Sequence, residues 1–202
     1  MVNIYKNLIN NESIIFDIGS NIGLFTKAIC DECNYHSIHL FEPSKKYYNI
    51  SKNVLKNYKN LYFYNIGCGN KNKEKEILYL AGEKNYGWNT FLIKDPKQEK
   101  DFYKKMNKEY CNIYTLDYIF DKYNINKVDF IKIDVEGYEV RVIEGGYNTI
   151  KKFKPYLLVE VAWGKNHPEW NYCKEIYNKL FSIGYKKIDF DTDTRDILFY
   201  VD

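Results

Sequence analysis

The sequence contains no apolar run that approaches the roughly 18–20 residues needed to cross a bilayer, although 45% of its 202 residues are hydrophobic. Residues 1–6 lack the apolar core of a secretory signal peptide. The net charge is only +3 and the lysines are spread along the whole chain, so no concentrated basic face is evident. We therefore expect a cytoplasmic protein with no membrane partner, and the charge pattern argues against nucleic acid as a partner.

Cysteine and histidine are too few and too scattered to build a disulfide framework or a zinc site. The five cysteines stand at positions 30, 33, 68, 111 and 173, an odd number without regular spacing. Cys30 and Cys33 form a single C-x-x-C, but zinc takes about four ligands, and no second such pair or paired histidines complete the set. This pattern favours a reduced, cytosolic setting.

Arginine is almost absent, at positions 141 and 195 only, whereas lysine, asparagine, isoleucine and tyrosine are abundant. These four residue types share A/T-rich codons, so we interpret the composition as that of an AT-rich genome, in a cell or a virus. The 21 tyrosines are therefore not interpreted as a sugar-binding surface.

The most informative feature that is present is the run FDIGSNIG, from Phe16 to Gly23. It predicts a buried strand that ends in an acid, a glycine turn and the start of a helix. Glycines in such a turn let the backbone approach a ligand, because a Cβ would collide with it. Glu42 follows 19 residues after Gly23, at the end of a second strand-like run, where an acid suits the two adjacent hydroxyls of a ribose. Together these residues indicate a cofactor that carries a nucleoside.

The turn also indicates which nucleoside cofactor it binds. Its pattern is D-x-G-x-N-x-G, which is neither the dinucleotide pattern G-x-G-x-x-G nor a P-loop. Asn21 stands where a dinucleotide site has the glycine that admits the pyrophosphate, so a nicotinamide cofactor is disfavoured. Asp17 places a carboxylate beside the turn, which repels phosphate and attracts an ammonium group. S-adenosylmethionine meets both conditions. A structural alternative for Asp17 is that of an acid that stabilises the start of the following helix.

Beyond this turn, near-continuous apolar strands alternate with amphipathic helices, which predicts a mostly parallel sheet with helices on both faces. The last two predicted strands, at 185–190 and 197–201, are too close in sequence for a parallel crossover, so the final strand must run antiparallel. We expect an α/β fold, a Rossmann-like doubly wound seven-stranded sheet, mostly parallel with one antiparallel C-terminal strand. Residues 82–112 are polar and irregular, and we predict a surface insertion or lid with a partial helix there.

Three ordered motifs, FDIGSNIGLFT, FEPS and VDFIKIDVEGYEVRVIEGG, resemble those of the FkbM-type S-adenosylmethionine-dependent methyltransferases. WNTF, at residues 88–91, is a looser match to the same family. The resemblance covers residues 13–161 and implies a single class I, Rossmann-like methyltransferase domain over residues 1–202. It also implies that S-adenosylmethionine is the cofactor and S-adenosylhomocysteine (SAH) the product.

The resemblance implies three groups of site residues. The residues expected to contact the cofactor are Asp17, Gly19, Ser20, Asn21, Gly23, Phe25, Glu42, Pro43, Gly67, Cys68 and Asp134. The residues expected to take part in catalysis are Asp134, Glu136 and His167, and those expected to bind the acceptor are Thr90, Glu160 and Trp163. Structural alternatives to these functional roles stay open. Glu136 could start a helix, Glu160 could make a structural hydrogen bond, and His167 could be a surface residue without a catalytic role.

The activity implied by the resemblance is O-methylation of a hydroxyl on a sugar, a glycan or a glycosylated small molecule. An RNA methyltransferase and a cofactor-binding module without catalysis are the alternatives. Asp134, Glu136 and Glu160 could supply oxygen ligands to a divalent ion, but nothing in the sequence requires one, so no metal is predicted. We expect the rim of the site to be open. An open rim suits a saccharide on a larger carrier, or a homodimer in which the neighbouring subunit completes the pocket.

Overall fold

The computed structural model describes residues 6–81, 89–91, 106–161, 169–189 and 196–202. Ten strands and six helices lie within these ranges. The strands are β1 (Ile14–Ile18), β2 (Ser37–Phe41), β3 (Leu61–Tyr64), β4 (Gly67–Cys68), β5 (Lys73–Leu80), β6 (Asn107–Tyr114), β7 (Phe130–Ile133), β8 (Tyr156–Glu160), β9 (Lys186–Asp189) and β10 (Asp196–Tyr200). The helices are α1 (Leu24–Glu32), α2 (Lys45–Val54), α3 (Leu116–Lys122), α4 (Glu139–Gly145), α5 (Tyr147–Phe153) and α6 (Trp170–Ser182). None of these helices combines the length and the apolar character that crossing a bilayer requires.

Seven strands form one sheet in the order β3-β2-β1-β7-β8-β10-β9. The pairs from β3 to β8 are all parallel, and β10 runs antiparallel to both β8 and β9. The chain moves outward from β1 to β3 and then returns to place β7 on the other side of β1. Open α/β sheets bind ligands at such a switch point. The arrangement confirms the predicted α/β, Rossmann-like sheet with one antiparallel C-terminal strand.

Alternate residues of the strands face two hydrophobic cores, one on each side of the main sheet. In β1, Phe16 and Ile18 belong to the core that also contains residues of α3, α4, α5 and α6. Ile15 belongs to the other core, together with Ile29 of α1 and Leu55 at the end of α2. Because both faces of the sheet are covered, its central strands read as continuous apolar runs in the sequence.

A second, three-stranded sheet has the order β4-β6-β5, with β5 and β6 antiparallel. Strand β6 corrects part of the predicted insertion, because residues 107–112 are extended and paired rather than irregular or helical. The strand is hard to recognise in the sequence, because Cys111 and Ile113 are the only buried residues of β6. Most of the remaining predicted lid, residues 82–88 and 92–105, lies outside the described residues.

The start of α2 links the two sheets. Ser44 occupies the N-cap position, but its side chain makes no capping hydrogen bond. Instead, the carboxylate of Glu109 in β6 accepts a hydrogen bond from the backbone N–H of Lys45, at 2.7 Å. This contact holds the second sheet against the end of the main sheet where β2 gives way to α2.

Candidate active site

A cleft of about 770 Å³ opens at the carboxyl ends of β1, β2, β7 and β8, next to the point where the strand order reverses. Its wall includes residues that end or follow these strands, among them Ile18, Glu42, Asp134 and Glu160. Asp196, at the start of β10, also lines the cleft, beside its β8 partner Glu160. The volume lies within the ~300–1,000 Å³ typical of small-molecule sites.

The turn after β1 presents its backbone to the cleft. The N–H groups of Gly19 and Ser20 donate to the carbonyl of Phe41, at 3.0 and 3.2 Å, which fixes the turn against β2. Gly19 has a φ of 76°, and a Cβ here would lie 1.8 Å from the carbonyl oxygen of Asp134, so the position requires glycine. Ser20 is 4% exposed, and its Oγ has no hydrogen-bond partner among the described residues. A buried hydroxyl without a partner on a cleft wall points to a ligand.

The remaining residues of the turn have different positions. Asn21 and Phe25 line the cleft, and Asn21 has a φ of 50°, a conformation that asparagine adopts more readily than most residues. Gly23 lies outside the cleft wall at the start of α1, with a φ of 85°. A Cβ at Gly23 would lie 2.8 Å from the Leu55 side chain. Gly23 is therefore a packing glycine between α1 and the end of α2, and its expected contact with the cofactor stays a prediction.

Glu42 forms a polar edge of the cleft beside the turn that follows β1. Its Oε2 accepts from the N–H of Asn21 at 2.9 Å and its Oε1 accepts from the N–H of Ser44 at 2.8 Å. Asn65 donates to the carbonyls of Glu42 and Pro43, which fixes this corner from below. Burial raises the pKa of Glu42 to about 7, against the lowering effect of the two amides. Each carboxylate oxygen keeps further accepting capacity, which suits a pair of hydroxyls.

Asp17 does not line the cleft, and its expected contact with the cofactor stays a prediction. It is fully buried, accepts a hydrogen bond from the Thr26 hydroxyl at 2.7 Å and lies 3.5 Å from the ammonium of Lys132. The strand pattern places Asp17 at the end of β1, but its orientation depends on Thr26 and Lys132, which come from α1 and β7. The structure therefore places Asp17 beneath the turn, where it supports rather than forms the cleft wall.

Lys132 is a residue of the site that the sequence analysis missed. It lines the cleft, and its Nζ lies 3.0 Å from Asp134 Oδ2 and donates to the carbonyl of Gly19 at 3.3 Å. Burial lowers the pKa of Lys132, but the charges of Asp17 and Asp134 outweigh burial and raise it. The signal was available, because a lysine within the apolar run of β7 must find buried partners.

The half of the cleft wall that follows β7 and β8 carries the neighbouring carboxyl groups of Asp134 and Glu160, which have oxygens within 4.8 Å of each other. Burial alone would raise the pKa of Asp134, but the Lys132 ammonium and the neighbouring Glu160 carboxyl group together outweigh burial and hold this pKa below its usual range. Burial, with the hydrogen bond and charge of Asp134, raises the pKa of Glu160 to about 9. At neutral pH, Asp134 therefore carries the charge and Glu160 the proton. Glu160 Oε2 is buried without a hydrogen-bond partner among the described residues.

Two further acids complete this half of the cleft. Asp134, Glu136 and Glu160 each offer a carboxylate oxygen within 4.8 Å of the others, a spacing that could hold a cation. Asp196, which the sequence analysis missed, lines the cleft, and burial and the charge of Asp134 raise its pKa to about 6. This half of the cleft, with Asp134, Glu136, Glu160 and Asp196, is thus rich in carboxyl groups, and Lys132 lies beside them.

Thr90 is not part of the cleft wall, and its expected contact with the acceptor stays a prediction. It is 5% exposed, and its hydroxyl donates to the backbone carbonyl of Glu136 at 2.9 Å. Its neighbours Asn89 and Phe91 line the cleft instead. Thr90 therefore fastens the segment 89–91 to the loop that follows β7.

The other expected site residues divide into two groups. Pro43, Gly67 and Cys68 line the cleft, and their expected contacts with the cofactor stay predictions; burial raises the pKa of the Cys68 thiol, as for a packing residue. His167 and Trp163 lie outside the described residues, so their roles stay predictions.

The residues of the cleft fit S-adenosylmethionine in their chemistry, and its volume of about 770 Å³ is in the range of small-molecule sites. The turn at Gly19 brings backbone close to the space, the unpartnered hydroxyl of Ser20 lies on its wall, and Glu42 offers paired acceptors at the place expected for a ribose. Position 21 of the turn is asparagine, so the turn lacks the glycine that would admit a pyrophosphate.

Comparison with known proteins agrees with this chemistry. Residues 17–187 match the family model of the methyltransferase FkbM domain. The structure of the FkbM methyltransferase from Methylobacillus flagellatus KT aligns with a TM-score of 0.63 at 18% identity, over 95% of this chain and 44% of that one, so the chain spans less than half of that protein. An rRNA methylase from Streptococcus thermophilus aligns with a TM-score of 0.54 at 9% identity, over 99% of this chain and 93% of that one. SMU.1697c from Streptococcus mutans, determined in complex with SAH, aligns with a TM-score of 0.56 at 9% identity, over 98% of this chain and 92% of that one. At these identities the structural likeness establishes the fold alone, and no curated protein sequence matches the chain significantly.

Proposed function

Because the chain belongs to the FkbM methyltransferase family and is an S-adenosylmethionine-dependent methyltransferase, we propose that its acceptor is a hydroxyl group of a sugar, a glycan or a glycosylated small molecule. The observation that carries the proposal is the pair formed by Asp134 and Glu160. Their carboxylate oxygens lie within 4.8 Å of each other and of Glu136, and the Lys132 ammonium lies 3.0 Å from Asp134, so that the pKa of Asp134 is lowered while that of Glu160 is raised.

The cofactor half of the cleft binds and orients the donor. Glu42 accepts hydrogen bonds from the ribose hydroxyls, while Ser20 and the backbone at Gly19 contact the amino-acid end of the donor. When bound, S-adenosylmethionine supplies a methyl group on a sulfonium, and the electron pair of the breaking C–S bond stays with sulfur. The chain therefore needs only to position the acceptor and remove its proton.

The acceptor half supplies both functions. The carboxylate of Asp134 accepts a hydrogen bond from the acceptor hydroxyl and takes its proton as the oxygen–methyl bond forms, after which the proton passes to solvent. Glu160 donates to Asp134 and keeps the carboxylate oriented, and Lys132 keeps it charged. A neutral polyol matches this surface, because its hydroxyls can donate to several carboxyl groups at once.

RNA is a poorer acceptor on electrostatic grounds. Asp134, Glu136, Glu160 and Asp196 all line the acceptor half, so a phosphate would enter a field dominated by carboxyl groups. A module that binds the cofactor without catalysis would not need the ionised and protonated pair.

The direct test is incubation of the protein with methyl-labelled S-adenosylmethionine and two matched panels of acceptors, neutral oligosaccharides or glycosides and short RNAs. We expect label in a base-stable O-methyl ether of a neutral saccharide, with equimolar SAH. Labelled RNA would favour the nucleic-acid alternative. Binding of SAH by calorimetry without turnover on any acceptor would favour the inactive module.

A further inference from the structure

We propose that Glu139 is a positioning residue for methyl transfer, which holds the loop 134–138 in the conformation that turns Asp134 and Glu136 toward the cleft. The inference rests on the acceptor role proposed above for these two residues. Glu139 itself is 5% exposed and lies outside the cleft wall, so it does not contact the acceptor directly.

The loop between β7 and α4 has an unusual backbone. Glu136 has a φ of 55° and Gly137 a φ of 99°. Residues other than glycine, asparagine and aspartate rarely adopt a positive φ, because the Cβ crowds the neighbouring carbonyl. Such a conformation persists where surrounding contacts hold it, and it is common at functional sites.

Glu139 supplies two of those contacts. Its Oε1 accepts from the N–H of Val135 at 3.2 Å and from the N–H of Gly137 at 2.9 Å. These amides flank Glu136 on both sides, so one carboxylate oxygen fixes the 134–135 and 136–137 peptide units. The loop also carries Asp134 next to Val135, and both Asp134 and Glu136 line the cleft.

Thr90 holds the same loop from the opposite direction. Its hydroxyl donates to the backbone carbonyl of Glu136 at 2.9 Å. Glu139 thus accepts hydrogen bonds from two backbone N–H groups of the loop, while Thr90 donates a hydrogen bond to the backbone carbonyl of the central residue, Glu136. Two side chains from different parts of the chain fix three backbone groups around Glu136.

The position of Glu139 is costly unless the contact is needed. Burial raises its pKa to about 7, and the hydrogen bonds from Gly137 and Val135 only partly offset the effect. An aliphatic residue at this position would avoid that cost, because its neighbours in α4, Val140, Val142 and Ile143, are core residues. A carboxylate here is explained by the two amides that it binds.

The test compares variants of Glu139 that differ in reach and in accepting capacity. Glu139→Gln keeps an oxygen acceptor at the same distance, Glu139→Asp keeps the charge but is one methylene too short, and Glu139→Leu removes the acceptor. We expect kcat to fall by about 10- to 100-fold in the Asp and Leu variants, since misplacement by about 1 Å can cost 10²-fold. The Gln variant should retain kcat within about threefold, and all three should bind SAH within about threefold of the wild type. Glu144 on the same helix is the matched control, because its carboxylate binds Asn70 and Tyr172 instead of the loop; Glu144→Gln should leave kcat unchanged.

The inference is overturned if Glu139→Asp folds and keeps wild-type kcat, or if loss of kcat is matched by equal loss of SAH affinity. Amide hydrogen exchange gives a second test that needs no acceptor and no unstable variant. The amides of Val135 and Gly137 should be protected in the wild type and in Glu139→Gln; rapid exchange of both in the wild type would overturn the inference. Protected amides in a protein that methylates no hydroxyl would contradict the proposed function alone.

Discussion

Replacing Glu42 by glutamine should weaken SAH binding by about 10- to 100-fold. In the ligand-free site, both oxygens of Glu42 already accept a backbone N–H, from Asn21 and from Ser44. A glutamine offers one oxygen, and its NH₂ group must face one of these N–H donors. It therefore loses both the charge and one acceptor for the ribose hydroxyls. Hydrogen bonds to charged groups contribute about 1.5–3 kcal/mol, and about 1.4 kcal/mol corresponds to a tenfold change in affinity.

The assay is isothermal titration with SAH, and Glu109→Gln is the matched control. Glu109 also accepts a backbone N–H, that of Lys45, but it lies outside the cleft wall. The control should bind SAH within about twofold of the wild type. Glutamine is preferred to alanine at position 42, because alanine would leave two buried N–H groups unsatisfied, at about 1–3 kcal/mol each, and could unfold the corner.

The pH dependence gives a second signature of the same contact. The pKa of Glu42 is about 7 in the ligand-free protein, and hydroxyl donors favour the ionised carboxylate, so binding should lower this pKa and release a proton. Affinity should then fall as the pH drops below about 7 in the wild type, and this dependence should be absent in Glu42→Gln. An SAH dissociation constant that is unchanged in the variant and flat with pH would refute the assignment of Glu42 to the ribose.

Four further results are expected. Asp134→Asn should lower kcat by about 10²–10⁴-fold, the usual contribution of a general base, with little change in SAH affinity, and retention of kcat would exclude this role. Glu160→Gln keeps a donor beside Asp134, so it should be active at neutral pH and should lose the decline in wild-type activity expected above a pH of about 9, where Glu160 ionises; the same decline in both proteins would contradict the assignment. Because Lys132 offsets Asp134 and Glu160 holds a proton, EDTA should not lower activity and Mg²⁺ should not raise it; activation by the ion would instead show that the acids bind a metal. In the ligand-free protein, the free energy of unfolding measured in urea should fall as the pH rises from about 5 to 8, since Glu42 and Glu139 keep their protons to about 7 when folded but ionise near 4.5 when unfolded; a rise would contradict the burial of these groups.

Features that depend on local chemistry could be predicted from the sequence. Gly19 and Glu42 could be identified from the sequence, because a close backbone approach requires glycine and an acid at the end of the second strand suits the ribose contact that we propose. The antiparallel direction of β10 follows from the short connection after β9, which is too short for a parallel crossover. These inferences need no knowledge of which helices pack against the strands.

Features that depend on tertiary partners could not be predicted in the same way. The sequence pattern of β1 places Asp17 near the end of the strand. It does not reveal that the Asp17 carboxylate accepts a hydrogen bond from Thr26 and pairs with the ammonium of Lys132. Glu139 reads as an ordinary acid at the start of a helix until its contacts with the loop after β7 are known. Thr90 is similar, since its partner is the carbonyl of Glu136, far away in sequence.

Strand β6 escaped prediction for a different reason. Its partner β5 covers one edge, but most of its side chains stay polar and partly exposed, so neither the apolar run of a central strand nor clean alternation is present. Pairing of the backbone, rather than burial of side chains, maintains this strand.

The most direct measurement of the central claim is a crystal structure of the protein with SAH. The account predicts that both ribose hydroxyls lie within hydrogen-bond distance of the Glu42 carboxylate, that the amino-acid end lies on the turn at Gly19 and Ser20, and that the sulfur faces Asp134. SAH bound elsewhere, or with its sulfur turned away from Asp134, would contradict it.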